Sequence, residues 1–292
     1  MLRVPAFRRA CILYIPGSDE RKISKALALA NVDTRVLDLE DSVALHRKDD
    51  ARRNVVNALS ATPKSRLETC VRINSIGSGF DKADLSAVLP LKQLDSLLIP
   101  KVNSPSDIRA VNEAITAHAA NPNVKILASV ESATSLIHLK EIIAADTERR
   151  LEALVFAAED YCADLGLIRT PGRLEMLLGR QTVVAHAVAN GLQAIDLVCV
   201  DFKNQDVLRE ESKEGRTFGF TGKQAIHPNQ VELIQSSFMP SESEIAYATK
   251  IVDASKHHAS AGAGAFDLDG KVVDAPVVLW AQRILAKASV VY

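Results

Sequence analysis

Residues 125–160, KILASVESATSLIHLKEIIAADTERRLEALVFAAED, read as one strand–helix–strand unit. The runs at 125–130 and 153–158 are short and nearly continuous in apolar residues, the pattern of parallel strands buried on both faces. Each run ends in acid: Glu131 follows the first, Glu159 and Asp160 the second. The alternation extends in both directions. Apolar runs at 10–15, 35–39, 69–73 and 96–99 precede it, and runs at 194–200 and 218–226 follow, the last weakened by Gly219 and Gly222. Their starts lie 24 to 41 residues apart, about one βα unit each.

Helical patterns fill the gaps. Ser18 stands as a cap ahead of Ile23, Ala26, Leu27 and Ala30 on one face. Ser104-Pro105-Ser106-Asp107 opens another helix with proline early and acid in the first turn. The pattern over 175–190 ends at Gly191, a C′ glycine. Eight such alternations predict an α/β fold, a closed (β/α)8 TIM barrel. A doubly wound open sheet competes, but it usually carries a glycine-rich phosphate loop after its first strand. Here that turn reads Pro16-Gly17-Ser18-Asp19, and neither G-x-G-x-x-G nor a Walker A pattern occurs. After Pro240 come a helical stretch near 242–257, an Ala/Gly stretch at 259–265, a hairpin-like piece at 266–273 and a helix after Pro276. The expected division is a catalytic barrel domain over 1–240 and a C-terminal helical and hairpin extension over 241–292.

The 292 residues are 47% hydrophobic, enough for a large core. Lys and Arg number 35 against 36 Asp and Glu, a net charge of −1 that excludes electrostatic capture of nucleic acid or an anionic membrane. No apolar run approaches the ~20 residues of a membrane helix. Cys11, Cys70, Cys162 and Cys199 form no C-x-x-C pair and read as small buried side chains in a reducing compartment. The start, MLRVPAFRRACILYIPG, has Arg3, Arg8 and Arg9 and no acid before Asp19. It resembles the remnant of a transit sequence and lacks a secretory apolar core. The expectation is a soluble intracellular protein of the mitochondrial matrix or the cytoplasm.

In a βα barrel the active site lies at the C-terminal ends of the strands. The polar residues there are Tyr14, then Asp38, Glu40 and Asp41, then Arg72, Asn74 and Ser75, then Lys101, Glu131, Glu159 with Asp160, Asp201 and His227. Seven acids on one rim repel one another unless a cation is present. They point to a hard divalent metal on oxygen ligands, Mg²⁺ first. Glu131 and the Glu159-Asp160 pair are the sharpest candidates; the plain alternative is a solvated strand end or an acid favoured by a helix dipole. Arg72, between Val71 and Ile73, either binds a substrate carboxylate or enolate oxygen or pairs with a neighbouring acid. Asp38, Glu40 and Asp41 either orient Arg72 and metal-bound waters or serve structure alone. His227 either binds ligand or caps the next helix. Lys25 reads as an ordinary helix face, and Trp280 as a packing residue of the last helix.

Seven motifs stand in order: LYIPGSD at 13–19, DLED at 38–41, VRINS at 71–75, PKV at 100–102, Val130-Glu131, Glu159-Asp160 and GFTGKQAIHP at 219–228. Together they resemble the citrate lyase β-subunit-like family, the acyl-CoA lyase branch of the HpcH/HpaI aldolase superfamily. GLQAID at 191–196 and the tail GAF…VDAP at 264–276 are most similar to members that cleave citramalyl-CoA. The resemblance runs from about residue 9 to about residue 286. It implies a Mg²⁺-dependent barrel, a homotrimer, with Glu131 and Asp160 as metal ligands and Arg72 as the arginine that binds substrate and enolate. It also implies CoA-phosphate contacts from Tyr14, Arg21 and Lys25; lysine is common at the position of Arg21. A backbone contact to the adenine end is implied at Ile226 and His227. Asp274 matches the catalytic acid/base, carried by the C-terminal segment over a neighbouring subunit's active site. The implied reaction cleaves an acyl-CoA thioester into acetyl-CoA and a small 2-oxo acid, pyruvate or, for malyl-CoA, glyoxylate, with a malate synthase-like side activity. Its rivals are malyl-CoA cleavage, citryl cleavage on an acyl-carrier protein, and a non-catalytic scaffold that kept the fold.

Overall fold

The computed structural model describes residues 5–260 and 264–289. Eight parallel strands pair in sequence order and close into a barrel: β1 Cys11–Pro16, β2 Thr34–Asp38, β3 Glu68–Arg72, β4 Ser96–Ile99, β5 Lys125–Val130, β6 Leu151–Phe156, β7 Gln193–Asp196 and β8 Gly222–Ala225. A helix follows every strand, among them Glu20–Leu27, Lys48–Ala61, Ala158–Leu165, Leu177–Ala189 and Gln205–Phe218. Ile12, Val36, Cys70, Leu98, Leu127, Ala153, Val155 and Ile195 pack together inside the barrel. Their neighbours Leu13, Leu37, Val71, Leu97, Ile126 and Leu154 are equally buried and alternate to the outer, helix-facing side. This two-sided burial is why the strands read as unbroken apolar runs. All four cysteines are free and buried.

The last two strands are shorter than their apolar runs. β7 stops at Asp196 although Leu197 and Cys199 are fully buried, because the loop beyond it lies under cover without joining the sheet. Before β8, Phe218 ends a helix and Gly219, at φ 100, makes the left-handed turn out of it. Gly222 then closes the barrel: a Cβ there would stand 1.8 Å from the Arg9 carbonyl oxygen. The first helix is capped by Asp19, not Ser18; its carboxylate accepts from the Lys22 amide at 3.0 Å. The helix opened by Ser104 forms as the pattern predicts, with Asp107 accepting from the Ser104 amide at 2.9 Å. Gly191, at φ 65, ends the helix at 177–189, and the Leu192 amide returns to the Ala187 carbonyl.

Below the strands, Arg9 is fully buried and forks onto Glu68 at 2.8 and 2.6 Å, with Glu152 at 3.0 Å. Thr34 donates to the same Glu68 at 2.6 Å. This charged floor ties β2, β3 and β6 together at the end opposite the acidic rim.

The chain divides into two compact units, Met1–Gln235 and Ser236–Tyr292. The second unit holds helices Glu242–Ser260 and Ala275–Ser289 with a hairpin between them, β9 Phe266–Leu268 and β10 Lys271–Val273. Its Asp269-Gly270 turn has φ 55 and 75, the positive pair a two-residue hairpin turn requires. Ala248, Ile251, Val273, Ala281 and Ile284 form its core. Trp280 is 40% exposed, its ring tilted 56° to that of Tyr247 with centroids 6.2 Å apart, so it borders this core and does not fill it. Within the Ala/Gly stretch, residues 261–263 lie outside the described residues, as do residues 1–4 of the arginine-bearing start. Among the described residues no helix is long and apolar enough to cross a membrane.

Candidate active site

The loop after β2 is built to hold charge. The Gly17 amide donates to the Asp38 carbonyl at 2.8 Å, and a Cβ at Gly17 would lie 2.6 Å from that oxygen, so glycine lets the β1 turn close onto β2. Buried Lys48 donates to the carbonyls of Leu39 at 2.8 Å and Glu40 at 2.7 Å, and Asn74 donates to Leu39 at 3.0 Å. Three successive acidic positions are thereby fixed. Asp38, fully buried, takes both Nε and Nη2 of Arg72 at 2.7 Å, the Ser42 hydroxyl at 2.5 Å, and the amides of Glu40 and Ser42 at 2.9 and 3.1 Å. Burial pushes its carboxyl up, but Arg72, Ser42 and the Glu40 amide together hold it below the usual carboxylate range.

Arg72 projects from the end of β3 with its guanidinium over the Tyr14 ring, 4.9 Å from the centroid. Its Nη1 reaches Glu40 at 3.0 Å and Asp41 at 3.5 Å. The Tyr14 hydroxyl donates to Gln224 at 3.0 Å, and the Gln224 amide donates to the carbonyls of Phe156 and Asp196. Burial raises the Tyr14 phenol's pKa, so it serves as a neutral platform. Lys101, beyond β4, places its ammonium 2.5 Å from Glu40 and 3.4 Å from Asp41. Burial works against that charge, yet Glu40, Asp41 and Asp160 raise its pKa and keep it a cation.

Glu131 completes the cluster from β5. Burial first, then the charges of Asp160 and Glu40, pushes its carboxyl up to about 7, against the opposing Lys101 amide and Ser129 hydroxyl. Its Oε2 is buried without a hydrogen-bond partner. A buried carboxylate oxygen without a donor, repelled by a second carboxylate, is satisfied by a proton or by a cation. Asp160, half-buried in the first turn of Ala158–Leu165, is that second group. Among the described residues no three His, Cys, Asp or Glu side chains are grouped to hold a metal. Two carboxylates alone suit Mg²⁺, which keeps several waters. Glu159 departs from expectation: it is exposed and ion-paired with Arg169, because the first helical turn sends adjacent side chains to different faces. Asp201 is likewise exposed.

The structure thus brings together Tyr14, Asp38, Glu40, Asp41, Arg72, Glu131 and Asp160. Arg21 and Lys25 lie apart, exposed on Glu20–Leu27. Arg21 lines an open cleft of about 760 Å³ of mixed charge, with Lys22, Arg47 and Arg53 beside Asp19, Glu20 and Asp50. The amides of Ile226 and His227 both donate to Gln230, at 2.9 and 3.2 Å. The His227 ring stacks on Phe202 and its Nδ1 accepts from the Asn229 amide, so the ring caps the turn at 228–230. Asp274 belongs to the second unit, exposed at the start of Ala275–Ser289, with the Val277 amide 3.4 Å from its carboxylate. Lys48 and Gln224 escaped the sequence reading. Lys48 sits in the polar string RKDDARR and looks solvated, and nothing in GKQA marks Gln224 as the partner of a distant tyrosine.

The model of the HpcH/HpaI aldolase/citrate lyase family matches residues 10–228. The mitochondrial citramalyl-CoA lyase of Homo sapiens is 38% identical over 96% of this chain and 86% of its own length. A (3S)-malyl-CoA thioesterase of Cereibacter sphaeroides is 35% identical over 96% of this chain and 94% of its own. The crystal structure of CitE from Mycobacterium tuberculosis in complex with magnesium, acetoacetate and coenzyme A superposes with a TM-score of 0.78 at 30% identity, covering 96% of this chain and 99% of that one. The matched span contains the whole closed barrel and every residue of the acidic rim, and the chain belongs to the HpcH/HpaI aldolase/citrate lyase family.

Proposed function

We propose that this chain is a Mg²⁺-dependent carbon–carbon lyase that cleaves citramalyl-CoA into acetyl-CoA and pyruvate. The observation that carries this reading is the donorless buried oxygen of Glu131, whose carboxyl feels the charges of Asp160 and Glu40 in a cluster that also holds Arg72 and Lys101. Glu131 and Asp160 would hold the metal. When bound, Mg²⁺ supplies the positive charge that makes a tertiary hydroxyl easier to ionise beside its carboxylate. A rim carboxylate takes the hydroxyl proton, the oxygen's electrons form the carbonyl of departing pyruvate, and the electrons of the cleaved bond pass to the methylene carbon of the thioester, giving an enolate whose oxygen Arg72 receives. Asp38 holds two edges of that guanidinium and Tyr14 supports its face, so little reorganisation is needed as charge develops. A proton then returns to the methylene carbon, for which Asp274 of a neighbouring subunit is the assigned acid.

Arg21 and, on the same helix, Lys25 would take the CoA phosphates, Arg21 from a cleft whose other basic residues, Lys22, Arg47 and Arg53, are paired with Asp19 and Asp50, and the 226–227 backbone would meet the adenine end. A homotrimer would supply each site with another subunit's Asp274. The relatives named as mitochondrial support a mitochondrial location. The test is pyruvate release from citramalyl-CoA with Mg²⁺ and with EDTA, beside malyl-CoA and citryl thioesters. Metal-dependent pyruvate release, faster than either rival reaction, is the expected result. No pyruvate from citramalyl-CoA overturns the substrate assignment, and no turnover of any of the three leaves the scaffold reading standing.

A further inference from the structure

Lys101 has a backbone φ of 50, an uncommon conformation for a residue with a Cβ. The turn delivers its ammonium to Glu40 Oε1 at 2.5 Å and Asp41 Oδ1 at 3.4 Å. The other oxygens of the same two carboxylates reach Arg72 Nη1, from Glu40 Oε2 at 3.0 Å and Asp41 Oδ2 at 3.5 Å. Two cations therefore share two acids. Nε and Nη2 of Arg72 are engaged by Asp38, so Nη1 is the guanidinium nitrogen not bound to it. An oxyanion arriving at Nη1 competes with Glu40 for its N–H groups, and a carboxylate drawn away inside this cluster needs another cation.

We propose that Lys101 is a positioning residue that draws Glu40 and Asp41 off Arg72 Nη1, so that the guanidinium can accept the substrate's oxyanion without a like-charged competitor. The proposal rests on the lyase reading for its substrate, but not for its test. Without the ammonium, the Glu40 carboxylate keeps its ion pair with Arg72, while Lys48 holds the Glu40 backbone carbonyl, and Glu40 competes with the ligand. The effect is specific because it acts through Glu40: neutralising Glu40 should relieve the loss of Lys101.

The experiment titrates pyruvate into Mg²⁺-loaded protein by calorimetry, and Mg²⁺ into EDTA-stripped protein, for the native chain, Lys101→Met, Lys101→Arg and the double variant Lys101→Met/Glu40→Gln. Lys101→Met should bind pyruvate about 10- to 100-fold more weakly, the value of one hydrogen bond to a charged group. Its Mg²⁺ affinity should hold or tighten, because a cation near Glu131 and Asp160 has gone. Lys101→Arg should restore part of the pyruvate affinity, and the double variant should recover most of it. Native pyruvate affinity in Lys101→Met, a double variant no better than the single one, or loss of Mg²⁺ binding in Lys101→Met overturns the proposal. Should methionine at 101 prevent folding, Lys101→Gln carries the same titrations. Failure of the native protein to cleave any of the three thioesters would defeat the lyase reading separately; the pyruvate titrations then decide the role of Lys101 by binding alone, and no measurable pyruvate binding by the Mg²⁺-loaded native protein overturns the proposal.

Discussion

Replacing Asp38 by asparagine tests how the rim is held. The carboxylate accepts five hydrogen bonds, two of them from Arg72 and three from Ser42 and the Glu40 amide. An amide keeps one acceptor oxygen and turns an N–H₂ toward donors, so at least one bond to Arg72 is lost. A hydrogen bond to a charged group is worth ~1.5–3 kcal/mol, and an uncompensated buried charge costs ~3–5 kcal/mol. Glu40 and Asp41 still face Nη1, which sets the expected destabilisation near the lower end, about 3 kcal/mol. At about 2 °C per kcal/mol for a chain of this size, the melting temperature should fall by about 6 °C. The sign with pH follows from the depressed carboxyl of Asp38. A group whose folded pKa lies below its unfolded value stabilises the fold above the unfolded pKa, about 3.9 for Asp, and loses that contribution as pH falls through the folded value. The gap between native and Asp38→Asn proteins should therefore be constant near neutrality and shrink below about pH 4. Calorimetric melts from pH 3.5 to 8, with lyase rates at neutral pH, measure both arms. Equal melting temperatures at pH 7, or an unchanged kcat, would refute the claim that Asp38 pre-sets Arg72.

Three further outcomes are expected. Glu131→Gln should weaken Mg²⁺ binding by about 100-fold, two charge-assisted bonds' worth, yet leave the metal-free protein as stable as the native one or more so, read by calorimetry. Its carboxyl is raised to about 7, so its ionised form opposes folding; the EDTA-treated native protein should gain stability as pH falls from 8 to 6, and Glu131→Gln should lose that slope. Glu68→Gln should destabilise the barrel by about 3 kcal/mol, the lower end of the range for a broken buried pair because Glu152 still holds Arg9, with kcat little changed because the floor lies at the end opposite the rim. Asp274→Ala should abolish lyase activity and spare Mg²⁺ and CoA binding, measured by calorimetry; since Asp274 also faces the Val277 amide, a cap loss of about 1 kcal/mol accompanies it, and failure to fold or assemble would remove the support for its role as the acid.

Apolar periodicity alone determined the barrel. Strands covered on both faces have no solvent side to interrupt them, so β4 and β5 coincide with their runs residue for residue. Burial without pairing is invisible to the same pattern, which is why the stretch after Asp196 read as strand. The rim acids were legible because a carboxylate at the end of an apolar strand is conspicuous in a sequence. What each acid does was decided in three dimensions. Asp38, Glu40 and Asp41 look alike in DLED, yet Asp38 is locked onto Arg72, Glu40 is divided between Arg72 and Lys101, and Asp41 is half in solvent. Glu159 and Asp160 are adjacent in the chain and were parted by one helical step. Lys101 and Glu40 are 61 residues apart, and no spacing rule joins them. Composition and periodicity follow from burial, which each residue carries along the chain; electrostatic roles depend on distances between strands, which exist only after the barrel has closed.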